Sequence, residues 1–406
     1  MKNKIIGIIC CLILISSISA VSSSDWPMFQ NNPQHTGFIE EAGDFVTNLW
    51  TLNLKTIIKS TPAIENKTIY VITIDGILNA INMENGEINW TYDFKEKITA
   101  SPVINNSYLY IGSEKGYMYK IDLKNEKVSW KFKADSAIES TASINNGVIY
   151  FGDNDGNVYA LDSDDGSTIF KTELDGKIKT SPLVVNNTLY IGSDDGSFNA
   201  LDINDGSEIW EYVTGDSILS SAAYGDEKVY FGSNDGSIYA LNSGTGDVIF
   251  SYELKKAVKS SPTIDLNDNS LYIGSDNGKI TNLDLRDGTF KWDKSIGSAI
   301  KTTASLYNDS LIFGSDDGSL NIINKYTGEE KLKYTPGTFL FNKPITASPV
   351  IYGQSVFMAG EDGYIYSMNL EKLETPSSVF SYYTGGIILV IVVILIVGAI
   401  YIKKRK

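Results

Sequence analysis

The stretch Ala160-Leu-Asp-Ser-Asp-Asp-Gly166-Ser-Thr-Ile-Phe170 closes a unit of forty residues that recurs along most of the chain. An aromatic residue ends the unit at six positions spaced 40 residues apart and again at Trp292, while Leu332 stands at the eighth place. A period of this length without a helical pattern is typical of the blades of a β-propeller. The first six aromatic positions are Trp50, Trp90, Trp130, Phe170, Trp210 and Phe250.

Each repeat divides into four short strands, which we call A to D, separated by turn residues. Strand A is predicted at a triplet such as Ser60-Thr-Pro62, whose middle residue is Ser or Thr and whose last residue is Pro or Ala in all eight repeats. Small side chains and an N–H-free Pro suit an innermost strand with an unpaired edge at the propeller axis. Glycines such as Gly76 and Gly86 are predicted to be structural, because tight hairpin turns need positive backbone angles.

The strand count predicts how the ring closes. A D-type strand at 47–52 precedes the first strand A, whereas the last repeat ends at its strand C, 364–368. The N-terminal strand should therefore complete the last blade and remove the exposed sheet edges. The predicted fold class is all-β: an eight-bladed propeller of four-stranded antiparallel blades, closed by its N-terminal strand, plus one C-terminal transmembrane helix.

Both ends of the chain carry targeting patterns. Residues 1–22 read as a signal peptide, with an apolar run after Lys4 and small residues before the cleavage site. Residues 385–402 contain no charge and are followed by a basic tail at 403–406, which predicts a single membrane span with a cytoplasmic C-terminus. Between them we place a lead-in segment at 23–44, the propeller at 45–370 and a linker at 371–384. The propeller is expected outside the cell membrane.

Composition excludes several function classes. Both cysteines, Cys10 and Cys11, lie in the signal peptide, and His35 is the only histidine, so cysteine ligands, disulfides and histidine-based catalytic or metal sites are excluded. The chain has 34 basic and 49 acidic residues, and six of the basic ones lie at the two ends. The ectodomain therefore carries a net charge of about −21, which argues against nucleic acid as a ligand.

The run Ala200-Leu-Asp-Ile-Asn-Asp-Gly206-Ser-Glu-Ile-Trp210 resembles the tryptophan-docking repeat of the quinoprotein (PQQ) dehydrogenase superfamily. The resemblance covers roughly residues 45–370. It implies that the aromatic residue of one blade packs against the next, at Trp50, Trp90, Trp130, Phe170, Trp210, Phe250 and Trp292. The family includes enzymes and also non-catalytic scaffolds, such as the eight-bladed barrel-assembly lipoprotein of the bacterial outer membrane, whose layout is the more similar.

Enzymatic members of the family hold the quinone over the axis with a tryptophan, a vicinal disulfide, and calcium bound by carboxylates and amides. The propeller repeats contain no cysteine, and Glu139 is the only carboxylate at the mouth-side start of the A strands. We therefore predict neither PQQ nor catalysis. The acid-rich turns 153–156 and 162–166 fit calcium loops, but the same residue types suit hairpin turns, and no metal is predicted.

Two features are candidate binding sites. Four lysines, Lys59, Lys179, Lys259 and Lys301, stand three residues before the last residue of the strand A triplets and could form a basic funnel mouth for an anionic ligand, or could simply point into solvent. The connection to the last strand A is five residues longer than in the other repeats and carries Phe339, Leu340 and Phe341. This loop could bind a partner, or it could fold back onto the propeller.

Five Asn-x-Ser/Thr sequons occur, one of them at Asn89. The other four fall in A-to-B turns on one face of the disc, the face from which the chain leaves towards the membrane. If they are glycosylated, that face is shielded and the opposite one is left for binding; chance sequons in an Asn-rich chain are the alternative. These candidate N-glycosylation sites are Asn66, Asn105, Asn186 and Asn308.

The sequence as a whole favours a monomeric, single-pass, extracellular propeller that acts as a non-catalytic protein-binding or assembly scaffold. Its partners are expected to be other envelope proteins. Two alternatives remain at this point: a PQQ-dependent dehydrogenase, and a structural or adhesive protein of the cell surface.

Overall fold

The computed structural model of the chain describes residues 38–39, 47–336 and 342–370. Within these ranges the regular structure consists of 33 β-strands in eight sheets, and none of the described segments forms a helix that could cross a membrane. The signal peptide, most of the lead-in, His35, the linker and the predicted membrane span lie outside the described residues and remain predictions.

In blades 1 to 7 the strands follow one another along the chain in the order A, B, C, D. The first two strands precede the blades: β1 spans Phe38–Ile39 and β2 spans Thr47–Asn53. Blades 1 and 2 contain β3 (Ala63–Glu65), β4 (Thr68–Ile72), β5 (Ile77–Asn82), β6 (Ile88–Asp93), β7 (Val103–Asn105), β8 (Tyr108–Gly112), β9 (Tyr117–Asp122) and β10 (Lys127–Lys133). Blades 3 and 4 contain β11 (Ser143–Asn145), β12 (Val148–Gly152), β13 (Asn157–Asp162), β14 (Thr168–Glu173), β15 (Leu183–Val185), β16 (Thr188–Gly192), β17 (Ser197–Asp202) and β18 (Glu208–Val213).

The second half of the ring repeats this arrangement. Blades 5 and 6 contain β19 (Ala223–Gly225), β20 (Lys228–Gly232), β21 (Ser237–Asn242), β22 (Val248–Glu253), β23 (Thr263–Asp265), β24 (Ser270–Gly274), β25 (Lys279–Asp284) and β26 (Phe290–Ser295). Blades 7 and 8 contain β27 (Ser305–Tyr307), β28 (Ser310–Gly314), β29 (Leu320–Asn324), β30 (Glu330–Tyr334), β31 (Val350–Tyr352), β32 (Ser355–Ala359) and β33 (Tyr364–Asn369).

Blade 8 is completed from the N-terminus, which confirms the predicted closure. Its strand order is β2-β33-β32-β31, and β2 runs antiparallel to β33 from Thr47 opposite Asn369 to Asn53 opposite Tyr364. The eight-bladed, four-stranded antiparallel propeller predicted from the repeat is therefore present. The hydrogen bonds between β2 and β33 join the N-terminal and C-terminal parts of the ring. They pair the edge of β33 that would otherwise be exposed.

Strand A lies slightly later in the chain than predicted. The paired strand β3 begins at Ala63, directly after the triplet Ser60-Thr-Pro62, and the other A strands follow the same rule. A proline at the last triplet position cannot donate to a ladder, so the ladder starts at the next residue. The triplets therefore line the axis as connecting segments, and each A strand is only three residues long.

Strand D of every blade contains a bulge immediately before the aromatic position, where the register shifts by one residue. The extra residue is turned outward, as Leu49, Ile169 and Ile209 are, and the next side chain is aimed at the neighbouring blade. The bulge also distorts the outer edge of each blade, which discourages edge-to-edge pairing between molecules.

The aromatic residues meet the C-to-D turn of the next blade. The indole Nε1 of Trp50 donates to the Met83 carbonyl at 2.9 Å. In the same way, Trp130 donates to the Ser163 carbonyl at 3.2 Å and Trp210 to the Ser243 carbonyl at 3.1 Å. The turn glycine lies flat under the ring: a Cβ on Gly206 would stand 2.5 Å from Phe170. Phe250 and Trp292 cover Gly288 and Gly328 in the same way.

Trp90 has a different neighbour. The equivalent turn of blade 2 carries Glu126 with φ 54° in place of glycine, and Trp90 packs against the core cluster that contains Leu123 and Tyr119 of that blade. The aromatic residues of strand D thus pack one blade against the next, as the family resemblance implies.

Candidate functional site

Two faces of the disc are distinguished by their connections. The D-to-A connections and the B-to-C turns share one face, which we call the mouth face. The A-to-B and C-to-D turns share the other, which we call the exit face because the described chain ends there at Leu370, after β33. On the mouth face, backbone bonds join the two kinds of connection: Asn154 N–H donates to the Ala137 carbonyl and Ile138 N–H to the Ser113 carbonyl, both at 2.9 Å.

The four predicted binding lysines lie on the mouth face, and each has a carboxylate partner from a B-to-C turn. The Lys179 ammonium is 3.2 Å from Asp194, and Lys259 is 2.6 Å from Asp276. The other two pairs are Lys301 with Asp316, and Lys59 with Glu361 of blade 8 at 3.5 Å. The hydrogen bond from Lys301 to Asp316 raises the pKa of that ammonium, so it stays charged.

These ion pairs bear on the predicted basic funnel, because they neutralise the lysine charges that would attract an anion. The lysine charges are balanced by carboxylates that come from the same or the preceding blade, and Glu139 accepts a hydrogen bond from the Asn154 amide at 2.7 Å. Each of the four mouth lysines is therefore paired with a carboxylate, and these pairs carry no excess of positive charge. Such a surface is suited to a partner with matching charges more than to a simple anion.

The middle residue of each triplet forms a ring of hydroxyl groups around the axis. At most of these positions the hydroxyl oxygen accepts a hydrogen bond from the backbone N–H of the corresponding residue in the preceding blade. The described contacts give six of these links, with distances of 2.8 to 3.2 Å: Thr61 to Ser101, Ser101 to Thr141, Ser181 to Ser221, Ser221 to Ser261, Thr303 to Ser348, and Ser348 to Thr61. The preference for Ser or Thr therefore reflects bonding between blades as well as limited space.

A further strand pairs with the axial edge of blade 7. β1, from the lead-in, pairs in parallel with β27 of blade 7, with Phe38 opposite Leu306 and Ile39 opposite Tyr307. Blade 7 thus has five strands, β1-β27-β28-β29-β30, where the other sheets have four. The expectation that every axial edge lacks a partner is corrected here, because the chain itself supplies one for blade 7.

The long connection between blades 7 and 8 lies on the mouth face, since it joins the D strand β30 to the A strand β31. Residues 337–341, with Phe339, Leu340 and Phe341, lie outside the described residues, so their binding role remains a prediction. The flanking backbone touches blade 7: a Cβ on Gly318 would lie 2.6 Å from the Lys343 carbonyl oxygen.

The acid-rich turns use their carboxylates as hydrogen-bond acceptors. Asp153 is fully buried, and its oxygens accept from the backbone N–H groups of Ser136, Asp155 and Asn157 and from two side chains. Those side chains are the Asn157 amide and the Tyr159 hydroxyl. Asp162 likewise accepts from the Asp164 N–H at 2.7 Å. In the described part of the chain no three His, Cys, Asp or Glu side chains are grouped as metal ligands.

The residues that a quinone and calcium site would use, as the resemblance implies for enzymes, also have contacts of their own. The mouth carboxylates Asp276 and Asp316 are held by lysines, and Glu139 by an amide. The tryptophans of the described blades lie at the outer strands, where they dock on neighbouring turns. One oxygen of each of these aspartates and the indole N–H groups of Trp50, Trp130 and Trp210 are therefore engaged within the propeller.

One mouth-face carboxylate gives a pH prediction. Burial favours the neutral form of Asp317, but hydrogen bonds from Lys333 at 2.7 Å and from the flanking serines outweigh it and lower the pKa from 3.8 to about 2. A depressed folded-state pKa stabilises the protein above pH 4, and this contribution disappears as the pH falls towards 2. Allowing for solvent screening, we expect Asp317→Asn to cost about 1 kcal/mol at pH 6 and nothing near pH 2.

Urea unfolding at pH 6, 4 and 2.5 measures this effect. Asp155→Asn, at the equivalent turn position of blade 3, is the control for removing an exposed turn carboxylate. A loss of stability in Asp317→Asn that is independent of pH would contradict the assignment.

The fold and its mouth define a class: an eight-bladed propeller of PQQ-type repeats with an ion-paired face and an axis bonded through hydroxyl groups. The family described as outer membrane protein assembly factor BamB matches residues 47–144, 134–334 and 216–389, and the chain belongs to this family. No curated protein matches the chain in sequence.

Solved structures with the same fold include an assembly factor, an enzyme and a yeast protein. BamB from Moraxella catarrhalis is 18% identical with a TM-score of 0.69, over 80% of this chain and 99% of that one. Quinohemoprotein alcohol dehydrogenase from Comamonas testosteroni is 14% identical with a TM-score of 0.74, over 89% and 83%. Sqt1 from Saccharomyces cerevisiae is 14% identical with a TM-score of 0.71, over 82% and 100%. At these identities the likeness concerns the fold.

Proposed function

We propose that this chain is a membrane-anchored extracellular propeller that binds other proteins at the cell envelope and has no catalytic activity of its own. The observation that carries the proposal is the mouth face, where lysines and carboxylates pair with each other above the bonded hydroxyl ring. Such a face offers charged and hydrogen-bonding groups over a broad area, as the polar parts of protein interfaces do. Membership of a family named for an outer membrane protein assembly factor supports the same function.

The direction of the chain suggests which face is free. The described chain ends at Leu370 on the exit face, and the apolar run 385–402 follows after a short linker. If that run is the anchor, the exit face is directed towards the membrane and the mouth face away from it. The partner would then meet the mouth face and the connection that carries Phe339 and Phe341.

Site-specific photo-crosslinking in intact membranes tests this orientation. Ile57 on the mouth face and Leu266 on the exit face are matched apolar positions, 37% and 52% exposed. A photoreactive residue at Ile57 is expected to capture a discrete envelope protein, while the same residue at Leu266 is not. Capture from Leu266 alone would place the binding surface on the other side of the disc.

The predicted binding loop has its own test. Replacing Phe339 and Phe341 with Ser should lower recovery of the captured partner about tenfold or more, because aromatic anchors carry much of the free energy of protein binding. Leu266→Ser is the matched control, since it also replaces an exposed apolar side chain in a connection. If recovery is unchanged while the thermal midpoint is normal, the loop is not the binding site.

A quinone-dependent dehydrogenase is the second candidate, because a quinohemoprotein alcohol dehydrogenase shares the fold with a TM-score of 0.74. It predicts saturable PQQ binding by the purified full chain with calcium present, and dye-linked oxidation of alcohols or sugars. A chain that captures a partner through the mouth face but neither binds the quinone nor reduces the dye would exclude this candidate.

A further inference from the structure

Three of the five sequons occupy the same structural position in different blades. Asn66, Asn186 and Asn308 are each the first residue of a two-residue A-to-B turn, with φ of 49°, 53° and 52°. Asparagine is one of the few side chains that adopts this left-handed conformation readily. All three residues are exposed, and their turns lie on the exit face.

The hydroxyl residue of each sequon begins the following strand. Thr68, Thr188 and Ser310 are the first residues of β4, β16 and β28. The acceptor asparagine therefore sits exposed at the tip of a tight hairpin, two residues before its hydroxyl residue. In blade 7 that hydroxyl, on Ser310, is buried and accepts a hydrogen bond from Lys331 at 2.9 Å. An enzyme that recognises Asn-x-Ser/Thr needs such an exposed site on a secreted protein.

The other candidate turn sequon is placed differently. Asn105 is the last residue of β7, it is half-buried, and its backbone pairs with Tyr108. The equivalent residue of blade 1, Glu65, reaches across to the next blade and accepts a hydrogen bond from Ser107 N–H at 3.1 Å. A side chain at this position is therefore directed between blades, so the structure separates Asn105 from the three turn-tip sites.

We propose that Asn66, Asn186 and Asn308 carry N-linked glycans, a proposal that rests on the proposed export of the propeller. The donor would be an oligosaccharide attached through a phosphate ester to a membrane lipid. The bond from sugar C1 to the phosphate oxygen breaks, a bond from C1 to the asparagine Nδ2 forms, and the amide loses one proton while the lipid phosphate leaves. The glycans would cover the exit face and leave the mouth face clear for protein binding.

The test uses the full chain purified from the membranes of its own cells, with glycopeptides identified by mass spectrometry. Thr68→Val, Thr188→Val and Ser310→Ala remove only the hydroxyl group that the transferase recognises, and each should abolish the glycan at its own turn. Val148→Thr supplies the missing hydroxyl to Asn146, which holds the same turn position in blade 3 with φ 49°. This variant should gain a fourth glycan, and Asn105 should be occupied less than the three turn tips.

Protease accessibility of the propeller in intact cells separates the two ideas. An accessible propeller whose Asn66, Asn186 and Asn308 are unmodified overturns this inference and leaves the binding function standing. An inaccessible propeller overturns both. Unchanged thermal midpoints of these four variants would show that altered glycosylation is not a consequence of misfolding.

Discussion

Replacing Lys325 with Met is expected to lower the free energy of unfolding by about 3–5 kcal/mol. Lys325 is 5% exposed, and its ammonium lies 2.6 Å from Asp265, which is 2% exposed, and 2.6 Å from Asp268. Burial opposes the charge of Lys325, but the hydrogen bonds and charges of the two carboxylates outweigh it and raise its pKa. Without the lysine, a buried carboxylate in blade 6 has lost the cation that blade 7 supplies.

Urea unfolding of the detergent-solubilised chain, followed by tryptophan fluorescence, measures this loss. Lys171→Met is the control: it removes an ion pair with Asp135 in which both side chains are well exposed, and it should cost about 0–1 kcal/mol. The double variant Lys325→Met/Asp265→Leu should regain most of the stability, because neither buried charge of that pair remains. Equal losses for Lys325→Met and Lys171→Met would show that the cluster is not a buried ionic contact.

Trp50→Ala is expected to lower the free energy of unfolding by about 3–5 kcal/mol. Trp50 belongs to β2, the strand that completes blade 8, and its indole bonds the Met83 carbonyl of blade 1. Its ring also lies 6.1 Å from that of Phe357. The substitution therefore leaves a cavity between the two blades that close the ring, and the Met83 carbonyl loses its donor.

Leu49, the residue before Trp50, provides a matched control. Leu49 lies in the same strand and is 47% exposed, so Leu49→Ala should cost less than about 1 kcal/mol. Gly86 should couple to Trp50, because a Cβ there would stand 2.6 Å from the indole ring at a φ of 73°. The cost of Gly86→Ala should therefore be smaller in the Trp50→Ala background, and a double-mutant cycle in thermal or urea unfolding measures the difference.

The repeat made most of the fold predictable. The spacing of the aromatic residues, the turn glycines and the missing D strand of the last repeat predicted eight blades and their closure by β2, which the strand pairing confirms. These features depend on local turn chemistry and on a 40-residue period that is visible when successive repeats are compared. The bulge in strand D could not be predicted in this way, because it appears only when strand D is paired with strand C.

The candidate site was predicted less completely. The lysines of the mouth were identified at the correct face, but their partners are 15 to 17 residues away in B-to-C turns, or in the last blade for Lys59. A pairing signal was present, since acidic residues recur at the turn positions of Asp194, Asp276 and Asp316. Acidic residues are also common in turns, so this recurrence does not by itself distinguish ion pairing from turn chemistry.

By itself, the sequence determined the number of blades, the place where the ring closes and the residues that dock one blade on the next. Each of these follows from turn residues and aromatic positions that act within a repeat or between neighbouring repeats. Only the tertiary structure decided the charge of the mouth, the hydroxyl ring, the strand β1 on blade 7 and the buried Lys325 cluster. These contacts join residues of different blades, and bringing them together depends on the closed ring.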